Sequence, residues 1–422
     1  MPPEPGDPGL PPGETRAAGA LLSAAWGEPA AVLAAEALRD RTHVFRLRLD
    51  GGRSAVLKRR RGSEAQADGA FGIELAALEY LNSMPEPVAP RLLGADAEAG
   101  LLLMEDLGPG RSLADSLLAG SPEAAQGVHA DLVAYARALG ALHAWSRERP
   151  AAFAALRARH APGAALEPAW TGAVGRGQAG FLAVAAGLGL PTAGVEDELK
   201  TITDITNGVA FPGLVHGDAC PDNVRMRGGE CLIFDFESSG WGPVTLDAAY
   251  LLAPFPSCWC FGRLPAGAAA AAVDAYRARV GEAGIELGPD WDAAMAAAMA
   301  VWIIARGQAL REALGEDDSW GTTTMRPRLL AWLGSFTAAA GRAGTLPRLR
   351  ALAADLEEVL SQRWPQVRVP DYPALASPGA ALAQVPDWWQ PSRPSSWTSP
   401  GSGWTGSPPE SRPAVPGPAR CE

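Results

Sequence analysis

The chain has 422 residues, enough for two domains and a tail, and is 47% hydrophobic and 20% charged, an ordinary balance for a globular protein in water. Its formal net charge of −11 argues against nucleic acid, whose phosphates would be repelled, and mildly favours a neutral or cationic partner. Residues 1–18 are mostly prolines, glycines and acidic residues, with too little to bury, and read as a disordered leader. The first positive side chain is Arg16, and the apolar run behind it is broken by Gly19 and Ser23, so no signal peptide is expected.

From Val44 to Leu49, Phe45, Leu47 and Leu49 alternate with Arg46 and Arg48, which is strand periodicity. Asp50-Gly51-Gly52 is a hairpin turn, and the return strand runs from Ser54 to Lys58. Lysine is the rare cation here: only Lys58 and Lys200 occur against a large excess of arginine. A lysine ending an apolar strand is usually a solvated edge residue; its scarcity tilts Lys58 toward chemistry that arginine does not replace. A helix over about 68–82 follows, with Phe71, Leu75, Leu78 and Leu81 as its apolar stripe. Glu74 lies beside that stripe and can pair with Lys58, whereas Glu79 is the solvated competitor. Strands are expected at 88–93 and 101–104, then the linker Glu105-Asp106-Leu107-Gly108, with a domain boundary near residue 108.

Beyond 108 the pattern is helical. One long helix ends at His143, and a helix pair is expected in 161–194. Others follow at about 266–283, 290–314, 326–342 and 346–363. The longest apolar run, Ala293 to Ala305, is too short to span a bilayer, so a buried helix and no membrane partner are expected. From residue 366 a Pro/Ser-rich tail begins, with Trp388, Trp389, Trp397 and Trp404, and it reads as disordered. The cysteines (Cys220, Cys231, Cys258, Cys260 and Cys421) are odd in number and lack a CxxC pair, which implies reduced thiols and a cytoplasmic protein.

The richest stretch is Leu214 to Tyr250. Two apolar runs, Leu214-Val215 and Cys231 to Phe234, each lead into acidic residues: His216-Gly217-Asp218 with Asn223 five positions on, and Asp235-Phe236-Glu237. Gly228-Gly229 supplies a turn, so Asp218, Asn223 and Asp235 are expected to meet at one end of a hairpin. Hard oxygen ligands of this kind suit a divalent cation, and a carboxylate among them suits handling of a hydroxyl proton.

In order, strand, turn, strand with Lys58, helix with Glu74, linker, helices, His-x-Asp-x-x-x-x-Asn and Asp-Phe-Glu resemble the aminoglycoside phosphotransferase and small-molecule kinase superfamily over about residues 30–365. Pro221 ahead of the asparagine and Asp247 in Leu-Asp-Ala-Ala-Tyr strengthen that resemblance. It implies an α+β, bilobal protein kinase-like fold: a small antiparallel N-terminal lobe (19–107) with one helix and a larger helical lobe (108–365). It implies ATP and Mg²⁺, with Asp218 as base or orienting group, Asn223 and Asp235 on the metal, and Lys58 with Glu74 on the phosphates. Thr42 and nearby amides would stand in for the missing glycine-rich loop, and the backbone of Glu105 to Leu107 would meet adenine. His216 and Asp247 would support the loop. Asp222 is either a local cap or a contact for a cationic substrate; Glu237 is a group standing behind the metal's direct ligands, a substrate contact or a satisfied turn residue. Trp259, in the aromatic loop Pro254 to Gly262, either stacks on the acceptor or simply packs. The implied activity is phosphoryl transfer to a hydroxyl of a small molecule, aminoglycoside-like or an amino alcohol or metabolite, by a monomer or homodimer. A nucleotide-binding pseudokinase is the competing reading. A protein kinase is disfavoured by the absent glycine loop.

Overall fold

A computed structural model of the chain describes residues 10–38, 43–61, 65–125, 127–168, 170–207 and 210–376. The N-terminal lobe is a five-stranded antiparallel sheet of β1 (Val32–Ala37), β2 (Val44–Leu49), β3 (Ser54–Arg59), β4 (Leu92–Asp96) and β5 (Leu101–Glu105), in the order β1-β2-β3-β5-β4. Gly51 and Gly52, at φ 68° and 75°, make the tight connection from β2 to β3. The expected strand at 88–93 begins instead at Leu92, after a proline that cannot donate to the ladder.

Side-chain alternation divides this sheet between two cores. Phe45, Leu47, Leu49, Ala55, Leu57, Leu101 and Leu103 face helix α1 (Pro12–Trp26), where Ala18 and Leu22 are fully buried. Residues 1–18 are expected as a disordered leader, and α1 corrects this from residue 12 onward. Proline at its first position fits a helix start, and Gly27 in the left-handed conformation closes it. On the opposite face Lys58, Leu102 and Met104 look toward α2 (Ala65–Leu81), whose Leu75 and Leu78 join the main core. Parity along β3 therefore puts Lys58 on the side of α2 and of the second lobe.

The second lobe opens with α3 (Leu113–Leu117), α4 (Pro122–Ala125), α5 (Val128–Ser146), α6 (Pro150–His160), α7 (Ala173–Gly187) and α8 (Val195–Asn207). Four short strands follow: β6 (Pro212–Val215), β7 (Val224–Arg227), β8 (Glu230–Ile233) and β9 (Gly240–Pro243). Then come α9 (Thr245–Ala248), α10 (Ala266–Glu282), α11 (Asp290–Ile304), α12 (Gly307–Ala313), α13 (Met325–Ala343) and α14 (Pro347–Arg363). The fold class is thus the expected one, α+β with a small antiparallel lobe and a mostly helical remainder. The strand pairing differs in one respect. The run Leu214-Val215 pairs with β9, and the hairpin partner of β8 is β7.

Helix α11 is buried on nearly every side from Ala294 to Ile304, so its all-round apolar sequence reflects a core position. The single helix expected at 290–314 breaks at Ala305-Arg306, and the two pieces are bent by 48°. Among the described residues no single helix is long and apolar enough to cross a membrane; α11 and α12 pass that test only as a bent pair, by length and composition. Glycine makes the close approach of α7 to the end of α11 possible: a Cβ on Gly177 would lie 2.0 Å from the Ile304 carbonyl oxygen. The helical lobe also continues past the expected tail boundary at 366. Tyr372 is fully buried and donates to the Cys260 carbonyl at 2.6 Å, strapping the end of the lobe down. The four tail tryptophans lie outside the described residues.

Gly177→Ala therefore forces two backbones apart and is expected to lower unfolding free energy by about 1–3 kcal/mol, as overpacking does. Gly175→Ala, in the same helix with open space at its Cβ, is expected to be neutral or stabilising by up to about 1 kcal/mol. Denaturant melts of the two variants check the contrast.

Candidate active site

Strand β6 ends at Val215 and delivers the loop His216 to Asn223, whose backbone groups are taken up one after another. Asp247, fully buried at the start of the following helical turn, accepts the His216 N–H at 2.6 Å and the Gly217 N–H at 3.0 Å. Its Oδ2 also meets His143 Nε2 at 3.2 Å, and His143 Nδ1 meets the Tyr276 hydroxyl at 2.8 Å. The Gly217 carbonyl accepts from Trp170 Nε1 at 2.5 Å, the Ala219 carbonyl from the Tyr135 hydroxyl at 2.5 Å, and the Pro221 carbonyl from the Ala114 N–H at 3.0 Å. Gly217 has φ 80°, and a Cβ there would lie 2.4 Å from the Ser238 carbonyl oxygen, so this position requires glycine.

His216 is buried beneath the loop. Its Nδ1 accepts the Asp218 N–H at 3.2 Å and its Nε2 faces the Phe234 carbonyl at 3.0 Å, which fixes a neutral ring with the proton on Nε2. Burial lowers its pKa, in keeping with that state. Both ring nitrogens are thereby committed to holding the loop.

The β7–β8 hairpin, turned at Gly228 and Gly229 with positive φ, carries one more cross-strand bond beyond its ladder, from Phe234 N–H to the Asn223 carbonyl at 2.9 Å. Asn223 and Asp235 consequently emerge side by side at its open end. Asn223 Nδ2 donates to the Asp218 carbonyl at 3.0 Å and to its carboxylate Oδ2 at 3.3 Å, which leaves the amide oxygen for another partner. Asp235 stands at φ 73°, a left-handed conformation that aspartate tolerates better than most residues.

From the sheet lobe, Lys58 Nζ reaches Glu74 Oε2 at 2.6 Å, Asp235 Oδ1 at 2.5 Å and Glu237 Oε2 at 3.3 Å. One ammonium, with three protons to donate, thus joins carboxylates from α2 and from the helical lobe. Burial works against its charge, but Asp235 and then Glu74 outweigh that and raise its pKa. For Glu74 burial is the largest influence and pushes the carboxyl up, while Lys58 opposes it. Asp218, half-buried, is pushed up to about 7 by the desolvation of its carboxylate, against the hydrogen bond it receives from Ser257. An oxygen-only set comprising Asp235, Glu237 and the Asn223 amide fits a hard divalent cation. Carboxylate oxygens of Glu74, Asp235 and Glu237 lie within 4.8 Å of one another, with an excess of negative charge over Lys58.

The remaining candidates lie around this centre. Asp222 is buried and accepts from Trp259 Nε1 at 2.7 Å, so these two residues hold each other. Glu105 pairs with Arg227 at 3.2 Å, and its N–H is bonded to the Arg91 carbonyl at 2.8 Å. That N–H is therefore unavailable to a nucleotide base, which narrows the linker's offer to its other backbone groups. Leu107 follows half-buried in the linker, and Asp106 between them takes Arg46 through both oxygens at 2.8 and 3.2 Å. Thr42 lies outside the described residues.

Sequence reasoning missed the supports of the loop Pro254 to Gly262. Arg306 donates to the Pro256 carbonyl at 2.6 Å, and Arg328 to those of Cys258, Trp259 and Trp320 at 2.7, 2.9 and 2.6 Å. Burial brings Arg306 down to about 10 and Arg328 to about 9, so both stay protonated at neutral pH. Arg328 also lies 4.1 Å from the Trp320 ring centroid, a favourable face for a desolvated cation. Cys220 and Cys258 form a disulfide, which corrects the expectation of reduced thiols and ties this loop to the one from His216 to Asn223. Nothing in their spacing, 38 residues apart and without a framework pattern, signals the pair.

The chain matches the phosphotransferase enzyme family (APH) over residues 35–297, more than half of its length, and belongs to that family. Among solved structures it is similar to an aminoglycoside phosphotransferase from Alicyclobacillus acidocaldarius, with 13% identity, TM-score 0.43, and coverage of 78% of this chain and 93% of that one. It is also similar to a choline kinase from Streptococcus pneumoniae, with 13% identity, TM-score 0.41, and coverage of 74% and 94%. A macrolide 2′-phosphotransferase from Brachybacterium faecium shows 17% identity, TM-score 0.41, and coverage of 70% and 93%. No curated protein matches the chain.

Unreduced protein digested under acidic conditions should yield the Cys220–Cys258 linked peptide by mass spectrometry. Cys258→Ser should lower stability by about 2–4 kcal/mol, the usual contribution of such a cross-link. Equal stability of variant and wild type would show that the link contributes nothing.

Proposed function

We propose that this protein is an ATP-dependent phosphotransferase that moves the γ-phosphoryl group to a hydroxyl of a small molecule. The observation that carries this reading is the convergence of Asp218, Asn223 and Asp235, from β6 and the β7–β8 hairpin, with Lys58 from the opposite lobe. Such a transfer needs alignment and charge neutralisation rather than covalent chemistry by the protein. Asp218 accepts or orients the acceptor's hydroxyl proton, and its raised pKa suits a base working near neutrality. Asn223 and Asp235 would hold magnesium, which when bound neutralises phosphate charge. Glu237, in the same carboxylate cluster, is a further ligand candidate or a substrate contact. Lys58 keeps Glu74 as its fixed partner and turns toward the nucleotide's phosphates. Asp247 and His216 hold the loop so that Asp218 does not move with solvent.

The acceptor is a small molecule, with cationic ones such as an aminoglycoside or an amino alcohol favoured by the acidic residues Asp222 and Glu237 and by the net charge of −11. Trp259 and Asp222 together form the wall that would meet it. A nucleotide-binding pseudokinase would keep this geometry without turnover, and the acceptor screen distinguishes the two.

In a screen of aminoglycosides, amino alcohols, sugars and macrolides, magnesium-dependent ATP consumption should appear with at least one acceptor. Asp218→Ala should lower it by about 10²–10⁴-fold, the range for a lost general base. ATP binding with no transfer to any acceptor would favour the pseudokinase. Because Asp218 must be ionised to accept a proton, kcat/KM should fall as pH drops through about 7 and level off above it. A pH–rate profile flat between 5 and 9, on the order of two units either side of that value, would remove Asp218 from this role.

A further inference from the structure

One hydroxyl in the active site is left unexplained by the scheme above. Ser257 Oγ lies 2.5 Å from Asp218 Oδ1, and when Asp218 is ionised the serine proton points there, because a carboxylate accepts and does not donate. Tyr250 OH lies 2.6 Å from the same Oγ, so the phenol donates to the serine and the serine to the carboxylate. Tyr250 is fully buried and its pKa stands well above the usual phenol range through burial, which keeps it a donor. The serine is not free to swing away. Cys258, next in sequence, is linked to Cys220 in the catalytic loop, and the carbonyls of Pro256 and Cys258 on either side are held by Arg306 and Arg328.

The two oxygens of Asp218 are therefore unequal. Oδ1 takes the short bond from Ser257, while Oδ2 receives only the longer one from Asn223 at 3.3 Å. We propose that Ser257 is a positioning residue for phosphoryl transfer: held by Tyr250 and by the loop's tether, its hydroxyl fixes Oδ1 and so presents Oδ2 to the acceptor hydroxyl. Without it the carboxylate is free to rotate about its Cβ–Cγ bond, and the attacking oxygen loses alignment at the moment it is needed. A half-buried serine with only a packing role would affect stability instead.

This inference rests on the assignment of Asp218 in the preceding subsection, and one set of variants separates the two. Phosphate release from magnesium–ATP is followed with water as acceptor, alongside a thermal melt of each variant. Ser257→Ala should lower kcat about tenfold with KM for ATP unchanged, Ser257→Thr should restore most of it, and Tyr250→Phe should fall between. Equal kcat in Ser257→Ala and wild type overturns the inference, as does a loss that Ser257→Thr shares. If Ser257→Ala does not fold, Tyr250→Phe decides: a kcat loss at constant KM supports the relay, and wild-type kcat overturns it. Asp218→Asn marks the other failure, since full turnover there removes the role of the carboxylate itself and the inference with it.

Discussion

The Lys58 ammonium is where the two lobes meet energetically. It leaves β3 toward α2, where Glu74 holds it, and reaches across to Asp235 and Glu237 at the start of the turn after β8. A lysine this buried is tolerable only because carboxylates surround it, and the same carboxylates are tolerable only because of the lysine. Removing Lys58 strands the buried Glu74 carboxylate beside Asp235 and Glu237, a change that costs about 3–5 kcal/mol in comparable pairs. The site is thus built around an imbalance: more acid than base, in a place where phosphates and a divalent cation would restore neutrality.

Around this hub the protein invests in backbone rigidity. Asp247 grips two successive N–H groups, His216 bridges Asp218 to Phe234, and Trp170, Tyr135 and Ala114 take the loop carbonyls. Each bond is modest alone, yet together they leave the loop few alternative shapes. The second wall, Pro254 to Gly262, is treated the same way, with two buried arginines and a disulfide doing what helix packing does elsewhere. Catalysis by alignment demands this, because a small displacement of the aligned groups weakens transfer far more than it weakens binding.

Much of this was legible in the residues. Alternation in Val44 to Leu49 and the Asp-Gly-Gly turn define β2 and β3, and the rarity of lysine singles out Lys58. The spacing of His216, Asp218, Asn223 and Asp235 marks the loop and the hairpin end. What stayed hidden depends on contacts between distant segments. Helix α1 begins among prolines and glycines and is held by only a few apolar contacts with the sheet's far face, which composition cannot reveal. The pairing of β6 with β9 skips over an intervening hairpin, and its short strands carry no register signal. Tyr135, Trp170 and Ser257 are ordinary residues made functional by the fold, and the disulfide joins two cysteines that look unrelated in sequence.

On this reading the carboxylate cluster facing Lys58 holds a nucleotide together with a divalent cation. Calorimetric titration of ATP, once with magnesium and once with a chelator, tests it most directly, using wild type and Asp235→Asn. Tight binding by wild type that weakens sharply on chelation, with that dependence lost in Asp235→Asn, is the predicted result. Equal ATP affinity with and without magnesium in wild type, or a dependence that survives Asp235→Asn, would contradict it.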